Sequence, residues 1–89
     1  MYIVETAQKY YGHLQENTLL QCMEFFLENN EPVLMKAYST STPFNRYETL
    51  KKLWYDLLPE NHVCRSTLCV EMLEFILNMH HCHQARRRR

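Results

Sequence analysis

The sequence comprises 89 residues, 46% of them hydrophobic and one of them glycine, which allows one domain with an apolar core and excludes wholesale disorder. Ten basic and ten acidic side chains give a net charge of zero, which excludes a uniformly basic nucleic-acid-binding protein. That zero has two parts, because residues 1–85 carry a net charge of −4 and Arg86–Arg89 add four positive charges.

The first half of the chain predicts three helices joined by short polar segments. The scarcity of glycine disfavours sheets with tight turns and therefore favours helices. The first helix is predicted over Glu5–Leu14 and the second over residues 19–30, where apolar side chains recur at helical spacing. Pro32 suits the first turn of a third, short helix, because the N–H that proline lacks is unpaired at that position. A Ser/Thr-rich loop over residues 39–43 is expected to follow.

The second half of the chain predicts two longer helices. Asn45 is expected to cap a helix over residues 46–58, which Pro59 terminates. The last helix is predicted over residues 67–83. Its expected apolar stripe consists of Leu68, Met72, Phe75, Ile76 and Met79.

These elements predict an all-α fold, a compact bundle of about four short helices. We expect a single helical domain over residues 1–84, followed by a disordered basic tail over residues 85–89. No apolar run is long enough to span a membrane, and the first residues do not have the pattern of a secretory signal, so no membrane association is expected. We therefore expect a reducing compartment, cytoplasmic or nuclear, in which the four cysteines are thiols or metal ligands.

A cluster of cysteine and histidine residues in the last third of the chain is a candidate zinc site. His62 and Cys64 precede the last helix, and Cys82 and His83 lie near its predicted end. Four such ligands are the number and type that a tetrahedral zinc ion takes, and a small domain gains much stability from metal. In the alternative interpretation the cysteines are small core hydrophobes, and the histidines stabilise the C-terminal end of the last helix, where positive charge suits the helix dipole.

The arginine run, Arg86, Arg87, Arg88 and Arg89, has three interpretations. It is a nuclear-import signal, a segment that makes weak contacts with nucleic-acid phosphates, or a solvated end.

Catalysis is not predicted, because the sequence contains no phosphate-binding glycine loop, no His-Glu-x-x-His and no Gly-x-Ser-x-Gly motif. We therefore expect a protein that is not an enzyme.

Residues 48–61, Glu-Thr-Leu-Lys-Lys-Leu-Trp-Tyr-Asp-Leu-Leu-Pro-Glu-Asn, resemble the activation helix of the p-fifty-three tumour-suppressor family. That helix presents an aromatic residue, a Trp and a Leu to the cleft of Mdm-type ubiquitin ligases. The resemblance implies that Leu50, Trp54 and Leu57 contact a partner, with Tyr47 at the rim. Leu50 stands where the family has Phe, and one extra residue follows Trp54. In the alternative interpretation Trp54 belongs to the core, because it lies on the main apolar stripe of its helix.

The end of the chain is similar in organisation to the lentiviral Vpr and Vpx accessory proteins. The similarity consists of an apolar helix that ends in Met79-His80, followed by Cys82 and arginines. It implies a viral accessory protein that bridges a host factor to a ubiquitin ligase. We therefore expect an interaction protein that binds a host or partner protein through an apolar helical surface and forms a homodimer. The alternative is a zinc-stabilised nucleic-acid-binding or regulatory protein.

Overall fold

Five α-helices and one 3-10 turn form the described part of the chain. The structure is a computed structural model that describes residues 2–12 and 18–87, the side chains extending to residue 86. The helices are α1 (Ile3–Tyr11), α2 (Thr18–Asn29), α3 (Glu31–Thr40), α4 (Arg46–Leu57) and α5 (Thr67–Arg87), and the 3-10 turn is Val63–Arg65. The all-α prediction is confirmed over these residues, which form five helices rather than about four. None of the helices in these two ranges has both the length and the apolar character needed to cross a membrane.

Polar and proline residues place the helix boundaries close to their predicted positions. Pro32 lies in the first turn of α3, as predicted. Asn45 precedes α4, but its side chain accepts a hydrogen bond from the Thr42 N–H (2.8 Å) and makes none to α4, so the predicted side-chain cap is wrong in this detail. The turn after α4 closes with a bond from the His62 N–H to the Pro59 carbonyl (3.2 Å). Asn61 in that turn has a φ of 65°, a conformation that Asn adopts more readily than most residues.

The core lies between α5 and the helices that cover it. Trp54 of α4 and Leu73 of α5 are fully buried within it, together with Met23 of α2. The Trp54 indole N–H donates to the Cys64 carbonyl (2.8 Å), so the largest core side chain also anchors the turn before α5. Burying such a side chain removes a large apolar area from water while its polar atom keeps a partner.

The buried face of α5 differs from the predicted stripe. Leu68 and Phe75 were expected in the core but are 53% and 42% exposed. Met72 and Ile76 are buried, as predicted, and the other buried positions include Cys69, Val70, Leu73, Leu77 and His80. The difference arises from tertiary packing. Because α1, α3 and α4 all pack on α5, they bury a face of this helix that is wider than one apolar stripe.

The two ends of the chain also differ from the sequence prediction. Helix α1 begins at Ile3, two residues before the predicted start, and ends at Tyr11; His13 and Leu14 of the predicted helix lie outside the described residues. Helix α5 continues through Arg87, so residues 85–87 of the predicted disordered tail are helical. Arg88 and Arg89 lie outside the described residues.

Candidate functional site

A concave groove lies where the start of α1, the junction of α2 and α3, and the end of α5 meet. Its volume is about 540 Å³. The groove is lined by Tyr2, Val4, Glu5, Glu28, Glu31, Pro32, Met35 and Gln84, and we call this set the acidic groove. Four of these residues are apolar or aromatic, which is typical of sites that bury part of a ligand.

The charged residues of the acidic groove are all negative. Glu5, Glu28 and Glu31 contribute carboxylates, and none of the lining residues among those that the structure describes is basic. A smaller depression of about 340 Å³ shares Pro32, Met35 and Gln84 with the groove, and it continues between α3 and α5. The concave surface therefore continues beyond the carboxylates towards Lys36 and His81.

A buried polar network supports the groove from behind. His80 Nε2 lies 3.0 Å from Glu31 Oε1, and His80 Nδ1 lies 3.1 Å from Thr6 Oγ1. The Ile3 backbone N–H donates to the second oxygen of Glu31 (3.4 Å). His80 and Thr6 are fully buried, whereas the Glu31 side chain is 23% exposed on the groove wall. The network joins α1, α3 and α5 through groups that would each be unfavourable to bury alone, so it fixes the shape of the groove.

The order of groups in this network, hydroxyl, imidazole and carboxylate, is the order found in catalytic triads. A nucleophile must reach its substrate, but the Thr6 side chain has no exposed surface. The hydroxyl also lies 3.5 Å from the Tyr2 carbonyl, within the first turn of α1. The arrangement therefore serves to hold the helices together rather than to attack a substrate.

The predicted partner-contact residues occupy two different environments. Leu50 and Trp54 are fully buried, and the Trp54 N–H is paired with a backbone carbonyl. Tyr47 and Leu57 are partly buried and pack against the core. In this fold Leu50 and Trp54 are not presented to a partner, and the placement of Trp54 agrees with the alternative interpretation as a core residue.

The predicted zinc ligands lie at opposite ends of α5. His62 and Cys64 precede the helix, where His62 Nδ1 accepts from the Cys64 N–H (3.1 Å). Cys82 lies fifteen residues after Thr67, the first residue of the helix, a distance of about 22 Å along the axis. His83 Nε2 lies 3.1 Å from the Tyr10 hydroxyl. This conformation does not bring the four residues together, and no other trio of His, Cys, Asp or Glu within residues 2–12 and 18–87 is placed to hold a metal.

Three thiols lie together at the start of α5. Burial, followed by the neighbouring Cys69 and Cys22 thiols, raises the pKa of Cys64 to about 12. The Cys64 thiol donates to the Leu19 carbonyl (3.6 Å), and the Ser66 hydroxyl donates to the Cys69 sulfur (3.3 Å). Cys64 and Cys69 are fully buried, so both behave as small core residues.

The first arginine of the basic run lies in a positively charged neighbourhood. The Arg86 side chain is exposed near the end of α5. Desolvation, then the positive charges of Lys9 and Arg86, lower the pKa of His83. Neither Lys9 nor Arg86 lines the acidic groove.

Among the groove residues, sequence reasoning named Glu5 and Pro32, and only as helix starts. Tyr2, Val4, Met35 and Gln84 come from separate segments, and no local pattern relates them. Comparisons with protein-family models, with curated proteins and with solved structures find no match to this chain.

Proposed function

We propose that this chain is a non-enzymatic interaction module that binds a segment of a partner protein in the acidic groove. The observation that carries the proposal is the groove of about 540 Å³, which combines an apolar lining with three carboxylates. Concave apolar surfaces with a few polar groups are the usual form of sites that take a peptide side chain. We therefore assign partner contact to the groove, whereas the sequence had predicted it for residues of α4.

The lining residues favour a particular kind of partner segment. Tyr2 is 73% exposed and offers its ring to a ligand, while Met35 has a flexible thioether that adapts to different apolar shapes. The three carboxylates favour a lysine or arginine beside the apolar anchor. Because Glu31 is held by His80, the groove does not need to reorganise when a partner binds, which reduces the entropy lost in binding.

The similarity to viral accessory proteins supports a host protein as the partner. The arginines at 86–89 suit a nuclear-import signal in such a protein, and the exposed side chain of Arg86 is accessible to a receptor. Replacing all four arginines with glutamine should therefore reduce nuclear accumulation in cells. Unchanged accumulation would contradict the import role and leave the groove proposal intact.

Site-specific photo-crosslinking tests the groove as the interaction surface. A photoreactive phenylalanine derivative replaces Met35 in the groove, and in a control chain it replaces Phe44, which is 99% exposed and lies outside the groove. We expect one recurrent protein to be cross-linked from position 35 and not from position 44. The cross-linked protein is then purified and titrated against the unaltered chain.

Two results would contradict the proposal. One is equal cross-linking from positions 35 and 44, which would indicate general adhesion to apolar surface. The other is a cross-linked protein whose affinity is unchanged by Met35→Glu, which would place the binding site elsewhere. Circular dichroism of the Met35→Glu chain controls for folding.

A further inference from the structure

We propose that the arginines at 86–89 of one copy of this chain bind in the acidic groove of a second copy, forming a two-fold symmetric dimer. This inference rests on the proposed function in treating the groove as an interaction surface. It goes further by naming the occupant, a run of guanidinium groups. The two halves of the proposed interface are both present in one chain.

Charge complementarity is the first argument for this occupant. The groove contributes the carboxylates of Glu5, Glu28 and Glu31, and its described lining includes no basic residue. The sequence contributes four consecutive arginines, whose planar guanidinium groups can form two parallel hydrogen bonds with a carboxylate. The charges are also available, because no ion pair within the described residues involves Arg86, Glu5 or Glu28.

The position of Arg86 explains why this arginine binds the groove of a second copy rather than its own groove. Gln84 lines the groove, and Arg86 follows it by two residues on the same helix. Two residues correspond to a rotation of about 200° around an α-helix, so the Arg86 side chain lies on the opposite side from Gln84. Helix α5 remains regular through Arg87, and it would have to unwind for Arg86 to reach its own groove.

The adjacency of groove and arginines makes the surface self-complementary. A two-fold axis through this end of the molecule places the positive side of each α5 against the negative groove of the other copy. Each arginine–carboxylate contact then occurs twice in the dimer, whereas a charged tail that binds a flat surface makes it only once. The dimer also brings the positive run of each copy against a body whose net charge is −4.

Ionic contacts of this kind predict a moderate, salt-sensitive dimer. Exposed ion pairs contribute little individually, and the attraction between exposed charges is largely screened beyond about 8 Å at physiological ionic strength. We therefore expect a dissociation constant in the micromolar range at low salt. It should weaken by about tenfold or more when the salt concentration is raised to roughly 0.5 M.

Charge reversal in the full chain tests the dimer. The groove variant carries Glu5→Lys and Glu28→Lys, and the arginine variant carries Arg86→Glu, Arg87→Glu, Arg88→Glu and Arg89→Glu. The control carries Glu48→Lys and Glu60→Lys, two exposed acidic residues outside the groove that change the net charge by the same amount as the groove variant. Sedimentation velocity at low ionic strength measures each chain alone and a one-to-one mixture of the two reversed variants.

The unaltered chain and the control should sediment as dimers, and each reversed variant alone as a monomer. The mixture should regain the dimer, because the reversed groove of one variant then meets the reversed arginines of the other. A monomeric unaltered chain, a dimer that persists in both reversed variants, or a natively folded mixture that stays monomeric would overturn the inference. A monomeric chain whose position 35 still cross-links a different protein would leave the proposed function standing, so the two failures are distinguishable.

Discussion

Trp54 shows how one side chain combines apolar burial with a directional bond. Its ring is fully buried and meets Phe26 edge to face, with 6.0 Å between ring centroids. Its N–H donates to the Cys64 carbonyl, which lies in the 3-10 turn before α5. The residue therefore connects α4 to a segment ten positions further along the chain.

Replacing Trp54 separates its two contributions. Trp54→Phe should destabilise the fold by about 1–3 kcal/mol, because the Cys64 carbonyl loses its partner. Trp54→Ala should cost about 3–5 kcal/mol, because it also opens a cavity. Urea denaturation measures both, with Phe44→Ala as an exposed control expected to change stability by less than about 0.5 kcal/mol. Full stability of Trp54→Ala together with loss of partner binding would instead place Trp54 at an interface.

The thiols should differ sharply in reactivity. Cys82 is exposed, whereas Cys64 is buried and its pKa is raised to about 12. At pH 8 only about one Cys64 thiol in ten thousand is ionised, and the thiolate is the reactive form. Iodoacetamide should therefore label Cys82 much faster than Cys64 in the native protein, as measured by peptide mass spectrometry. The buried placement of Cys64 would be contradicted if iodoacetamide labelled Cys64 and Cys82 at equal rates in native buffer and urea made neither rate faster.

His83 should titrate below the ordinary histidine range. Desolvation first, then the charges of Lys9 and Arg86, lower its pKa below 6.5. Because the lowered pKa belongs to the folded state, the stability that neutral His83 contributes is present above pH 6.5 and is lost as the pH falls through the folded pKa. An NMR titration of the ring protons should show a midpoint below 6.5 that rises in Lys9→Gln. A midpoint above 6.5, or one that Lys9→Gln leaves in place, would contradict these contacts.

At the scale of the elements, α5 organises the fold because the other four helices all contact it. Helices α1, α3 and α4 all contact α5, and His80 lies where α1 and α3 meet it. A buried imidazole with a partner on each ring nitrogen fixes the distances between the helices more narrowly than apolar packing does. The same network holds Glu31 at the groove wall, so it couples the core to the candidate binding surface.

Removing this imidazole should weaken both the fold and the groove. His80→Leu leaves the Thr6 hydroxyl and the Glu31 carboxylate without their partner, which should destabilise the protein by about 1–3 kcal/mol. His81→Leu, at an exposed position next to it on the same helix, is the control and should have a smaller effect. Thermal denaturation of the two variants measures the difference. Equal stability of both would show that the network does not hold the helices together.

The helices were predictable because their signals are local. Pro32 and Pro59 mark boundaries, and the spacing of Leu50 and Trp54 identifies a helical face whichever partner covers it. The buried face of α5 was less predictable, since it depends on which helices pack there. Leu68 was assigned to the core from spacing alone, yet no neighbouring helix covers it enough to bury it.

At the scale of the whole molecule, the acidic groove depends on segments that lie far apart in sequence. Residues 2–5, 28–35 and 84 meet only after the helices have packed, so no periodicity could have identified them. The separation of charge was visible in the sequence, because the acidic body and the four arginines can be counted. Where the carboxylates lie relative to the arginines required the fold. Its end places an apolar, negative groove beside a positive helix terminus.

The most direct test of the central claim is the dissociation constant of the protein that cross-links from position 35, measured by isothermal titration calorimetry. The account predicts that Met35→Glu weakens binding by about tenfold or more, because it places a fourth carboxylate on the apolar lining of the groove. Phe44→Glu, an equal change at a 99% exposed site outside the groove, should leave the constant unchanged. If the two variants bind equally well, or if only Phe44→Glu weakens binding, the acidic groove is not the interaction surface.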